Sequence, residues 1–172
     1  MNIFRQLVLS PLTAVLLTST ASALDTAERA GLDATLDAYE AALENEDFKT
    51  VVNTLPPRVI DLIADQAKLS PEVIRLSVTA QMSSVMAEAD IQSFKMDTGA
   101  MTAGETKSGM NYAFLPTETV ISQGGGETIT ANTLTLALEQ DAIWYLMRIE
   151  RPSHYEFVRA AYPDFLDVAL PE

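Results

Sequence analysis

At Asp90 the spacing of apolar residues changes from about 3.6 to about 2, and this change constrains the fold more than any other feature of the chain. Before it, every apolar stripe has helical spacing. Asp25 to Glu46 reads as one long helix, with Leu32, Leu36, Tyr39 and Leu43 on a common face. Asn45-Glu46-Asp47 ends it, and Phe48 to Asn53 makes a short helical turn. Pro57 suits a first helical position and starts a second helix, with Val59, Ile60, Ile63 and Ala67 inward. Ser70-Pro71 opens a third, whose Ile74, Val78, Met82 and Val85 share a face to about Ala89.

After Asp90 the alternation is that of strands. Ile91 to Asp97 and Ala100 to Lys107 form two, joined near Thr98-Gly99. Met110 to Ser122 is a third, in which Pro116 implies a bulge or an edge. Gly124-Gly125-Gly126 turns into Glu127 to Glu139, with Leu134, Leu136 and Leu138 on one face and Thr133 and Thr135 on the other. Ile143 to Glu150 follows, placing Ile143, Tyr145, Met147 and Ile149 opposite Trp144, Leu146 and Arg148. Short turns make these strands antiparallel neighbours in a meander. Ser153 and Glu156 have the spacing of a capping box, so a short helix is expected from His154 to about Tyr162, stopped by Pro163. Three helices, a sheet and a last helix define an α+β domain with helices on one face.

Residues 1–23 read as a secretory signal peptide. Arg5 supplies the positive start, Leu7 to Leu17 the apolar stretch and Ala21-Ser22-Ala23 the cleavage pattern. Residues 24–172 then form one domain, expected in a bacterial periplasm or secreted medium, with no membrane insertion after cleavage. The chain has no cysteine, so it has no disulfide to rely on. Its formal charge of −13 opposes nucleic acid, which is bound through basic surface. Between Asp25 and Asp47 stand eight acids and one base, a net of −7, so much of the acidity belongs to one helix face.

The order of elements resembles the NTF2-like (cystatin-like, SnoaL-like) cone fold over roughly residues 25–150. Asn45-Glu46-Asp47-Phe48 leading to Leu55-Pro56-Pro57, Gly109 to Thr117, and Trp144 to Arg148 with Ala161-Tyr162-Pro163-Asp164 are similar to exported bacterial members of undefined role. The resemblance implies a sheet curled around the helices, with a pocket between its concave face and the first helix. It makes Tyr39, Tyr112, Phe114, Trp144 and Arg148 the candidate pocket residues. Arg148 stands in an apolar strand, and if buried it needs a carboxylate or a ligand. A structural pair with a helix Asp or Glu is the plainer expectation.

Two functions follow from the resemblance. One is a non-catalytic exported domain that binds a small apolar or anionic ligand in its cone, or a protein partner on its sheet. The other is a cofactor-independent acid–base enzyme of isomerase, cyclase or hydratase type, using a carboxylate and a tyrosine in the same cavity. They are told apart by whether a carboxylate lies within hydrogen-bond distance of a tyrosine hydroxyl inside the cone. His154, the only histidine, reads as a solvent-exposed first-turn residue. Asp33 with Asp37 and Glu40 with Glu44 are like charges on a solvated helix face, so no metal is expected. No cofactor motif occurs. A homodimer through the sheet would bury Trp144 or Leu134, Leu136 and Leu138 between subunits.

Overall fold

The computed structural model describes residues 24–123 and 127–171; the expected signal peptide, residues 1–23, and the expected turn at Gly124-Gly125-Gly126 lie outside them. Four helices precede the sheet: α1 (Thr26–Glu44), α2 (Phe48–Asn53), α3 (Pro57–Ala67) and α4 (Pro71–Met86). The short turn at Phe48 is thus a helix of its own, started by Asp47, whose carboxylate accepts from the Thr50 amide. A reciprocal capping box starts α1: Asp25 accepts from the Glu28 amide, and Glu28 accepts from the Asp25 amide at 2.6 Å. Five strands follow, β1 (Ala89–Met96), β2 (Thr102–Glu105), β3 (Asn111–Gln123), β4 (Glu127–Gln140) and β5 (Ile143–Ile149). The chain closes with α5 (Pro152–Ala161) and a 3-10 helix (Pro163–Asp167). The expected capping box of Ser153 and Glu156 does not form. Pro152, which has no amide hydrogen to cap, takes the first helical position and makes Arg151 the N-cap.

All strand pairs are antiparallel, but the sheet is not a simple meander. β1 and β2 do not pair with each other. They follow one another along the same side of β3, β1 against Thr117–Gln123 and β2 against Asn111–Phe114. Pro116 sits opposite the break between them. Its carbonyl accepts from the Asp97 amide at 2.8 Å, so its amide-less nitrogen faces the side where the edge is interrupted. On its other side β3 pairs with β4 along its whole length, and β4 pairs with β5. Thr54 covers part of the free side of β5, accepting from the Leu146 amide at 2.8 Å.

Both faces of the sheet are covered, in contrast to the expected single helical layer. Ala113, Leu115, Ala137, Trp144 and Leu146 pack with Leu32 and Leu36 of α1. Phe114, Leu136, Leu138 and Ile149 pack with Tyr155, Val158, Tyr162 and Phe165 of the C-terminal segment and with Val59 of α3. A sheet half buried on both sides needs continuous apolar runs, which explains why Thr135–Leu138 is buried without alternation. The C-terminal helix is therefore a second layer on the sheet. Leu136, Leu138 and Trp144, expected between subunits of a dimer, are already covered within one chain.

Burial pushes the phenols of this packing upward, Tyr155 to about 12, with Arg159 opposing the shift. Tyr162 and Tyr39 are raised for the same first reason. In the unfolded chain these groups ionise near pH 10, while the folded chain holds their protons to higher pH. Stability should therefore be unaffected by them below pH 10 and fall between about pH 10 and 12. Urea unfolding across this range is expected to show that fall, less steeply in Tyr155→Phe; a flat profile contradicts it.

Candidate functional site

A groove of about 730 Å³ lies beside β5, within the size range of small-molecule sites. One wall is helical: Leu55, Val59 and Ile63 at and within α3, then Val78, Gln81, Met82, Val85 and Met86 of α4. The other wall is Met147, Arg148 and Glu150 at the end of β5, with His154 and Phe157 of α5. Consecutive side chains of a strand point to opposite faces, so Met147 and Arg148 share one groove only because β5 is an edge strand. Three of the apolar residues are methionines, whose unbranched side chains adapt to irregular ligands.

The sequence spacing sets Ile74, Val78, Met82 and Val85 on one inward face of α4, and the structure departs from it. Ile74 alone is buried; Val85 is 54% exposed at the lip of the groove, across from Phe157 at 41%. The helix presents more apolar surface than the core covers, and the surplus lines the groove.

Arg148 forms the polar centre of this wall. Its Nε donates to Thr133 Oγ1 at 3.1 Å and lies 3.4 Å from Glu150 Oε1. The expected partner on a helix is replaced by the residue that follows its own strand. Among the described residues neither Nη atom has a hydrogen-bond partner. His154 lies in the first turn of α5 as expected but is partly buried at the same wall rather than solvent-exposed, and its Nε2 accepts from Arg151 Nε at 2.8 Å.

The five sequence-derived candidates do not share a cavity. Arg148 alone lines the groove. Tyr39 lies elsewhere, tilted against Phe94 with ring centres 5.7 Å apart; its phenol is raised by burial and pulled partly back by the Arg148 charge. Trp144 is core beneath α1. Tyr112 and Phe114 face the other side of the sheet, with Tyr155 and Phe165. The register Ala113↔Ala137↔Leu146 decides this, since it puts odd-numbered β3 residues on the Trp144 face and even-numbered ones opposite. The groove residues of α4 and α5 carried only one sequence signal, an apolar face on α4 wider than one contact needs.

Inside the sheet, Thr117 and Thr135 share a buried hydroxyl–hydroxyl hydrogen bond of 2.8 Å, while the buried Thr119 hydroxyl has no partner among the described residues. Acids gather elsewhere: Glu40, Glu44, Glu46 and Asp90 ring a smaller hollow of about 200 Å³ between the end of α1 and β1. Partial burial raises Glu40 there, with the nearby Asp37 and Glu44 charges adding to the shift. Among the described residues no group of acids and histidines could hold a metal ion, and no helix is long and apolar enough to cross a membrane.

An N-terminal helical layer, an antiparallel sheet and a short C-terminal helix make an α+β fold. Among solved structures the chain is similar to Aln2 from a Streptomyces species, at a TM-score of 0.50 and 11% identity, over 81% of this chain and 99% of that one. At that identity the likeness speaks for the fold alone. No family model and no curated protein matches the sequence.

Proposed function

We propose that the chain is an exported domain that binds a small apolar molecule in the groove beside β5. The observation that carries this reading is an apolar cleft of about 730 Å³ whose lips, Val85 and Phe157, are exposed large hydrophobics. A cleft of this kind is left open against water only at a cost, which a ligand removes by covering it. The acid–base reading requires a carboxylate on a tyrosine hydroxyl. Among the described residues Tyr155 donates to the Val168 carbonyl and Tyr162 to Gln140 Oε1, and no tyrosine hydroxyl meets a carboxylate. Binding in the groove is therefore the better supported of the two functions.

The export half of the proposal is supported by the signal-like residues 1–23 and by the position of the Asp25 cap, which starts α1 just beyond the expected cut. Fusing residues 1–23 to a reporter that is active only outside the cytoplasm tests it.

Titration with the neutral dye Nile red should give saturable binding at one site per chain. Val85→Asp, which sets a charge on the lip at an exposed position, should weaken it about tenfold or more. Absence of saturable binding, or binding indifferent to Val85→Asp, overturns the groove assignment.

A further inference from the structure

We infer that the molecule held in the groove is a single-chain amphiphile whose carboxylate head sits on Arg148. This deepens the proposed function and rests on its reading of the groove. Four observations support it. First, Arg148 uses only Nε within the protein, toward Thr133 and Glu150, so the edge of the guanidinium formed by its two Nη atoms is unpaired among the described residues. That edge carries parallel N–H donors at the spacing of carboxylate oxygens, a match that a lysine or a neutral donor does not provide.

Second, the backbone adds to the site. The Leu146 amide bonds away from β4, to the Thr54 carbonyl. The register of β5 against β4 runs unbroken through Met147 and Arg148. Alternation along an antiparallel strand therefore turns the Arg148 amide to the same free side as that of Leu146, the side on which the groove lies.

Third, the rest of the cleft is apolar over most of its lining, from Leu55 and Ile63 to Met82 and Phe157. A long hydrocarbon tail fills such a space without leaving polar groups unpaired. Fourth, the free stretch of the β5 edge is too short for a peptide to add as a strand. Thr54 occupies it at Leu146 and the strand ends at Ile149. An acidic amphiphile fits both ends of the cleft.

The other charged groups at this wall modulate the site. Glu150 lies against Nε at 3.4 Å and opposes a second carboxylate nearby. His154, which lines the same wall, is held by Arg151 through Nε2.

The test is calorimetric titration of the purified protein with dodecanoate, and with dodecanol and dodecylamine as neutral and cationic probes of equal length. Dodecanoate is expected to bind about 10- to 100-fold more tightly than either. Arg148→Gln should bring dodecanoate to the level of dodecanol measured on the same variant, and Arg148→Lys should fall between. Glu150→Gln should tighten dodecanoate alone. Equal binding of dodecanoate and dodecanol, or a preference that survives Arg148→Gln, overturns the carboxylate assignment and leaves the groove reading standing. If none of the three probes binds, the groove reading falls with it. Unchanged far-ultraviolet circular dichroism in each variant separates these results from misfolding.

Discussion

Replacing Phe165 by alanine should cost about 3–5 kcal/mol of stability, a large part of what a domain of this size possesses. Phe165 is fully buried in the 3-10 helix, and its ring meets those of Tyr112, Tyr155 and Tyr162 edge-on at 5.5, 6.4 and 6.5 Å. Such aromatic pairs contribute beyond their buried area. The cluster also anchors two cations, with Arg159 over the Tyr155 ring at 4.8 Å and Arg58 over Tyr162 at 5.0 Å. Removing the central ring opens a cavity against strands that cannot collapse into it. The neighbouring Leu166 is 64% exposed, and Leu166→Ala should stay within about 0.5 kcal/mol of the parent. Urea unfolding followed by circular dichroism checks both. A loss below about 1 kcal/mol in Phe165→Ala would mean that the C-terminal layer does not fold with the sheet.

A comparable loss, about 3–5 kcal/mol, is expected for Trp144→Ala on the opposite face. Trp144 is 4% exposed and packs with Leu32 and Leu36. Gly31 makes this approach possible: a Cβ there would stand 3.3 Å from Trp144 Cδ1 and Nε1, tighter than ordinary contact. Because the two rings lie in separate clusters across the sheet, their effects should add to within about 0.5 kcal/mol. The double variant is therefore expected to be unfolded at room temperature. If it keeps the parent's circular dichroism, the two layers are not independent supports. Trp144 is also the only tryptophan, so its fluorescence in Phe165→Ala reports whether loosening one face reaches the other.

Much of the fold was legible because local signals and burial agreed. The stripe of Leu32, Leu36 and Leu43, the prolines at 57 and 71, and the change of period at Asp90 each describe a segment that its own residues decide. What was not legible depended on partners. Whether β1 pairs with β2 or with β3 is settled by Pro116, which as a strand residue announces an edge but not which neighbours share it. The Ser153 and Glu156 spacing loses to Pro152 one position earlier, a contest between two start signals of the same helix. Tyr112 and Phe114 group with Trp144 in the sequence because strand register cannot be read from one strand; one residue of shift exchanges the faces. Arg148 stands out in the sequence as a guanidinium among apolar neighbours, and it lines the groove. Its company, from α4 and α5, comes from parts of the chain that meet only in three dimensions.

The broken edge of the sheet bears on how the protein behaves in crowded solution. A continuous, flat outer strand is a template on which a second molecule can add, and repeated addition yields fibres. Here one side of the sheet is divided at Asp97, with the charged Lys95 just before the gap and a proline behind it. The opposite side is blocked at Leu146 by Thr54 and flanked by the helices that wall the groove. Neither side offers an uninterrupted run of backbone donors and acceptors. Protection from fibrillar growth is thus built into the two margins of the sheet, one of which also frames the groove.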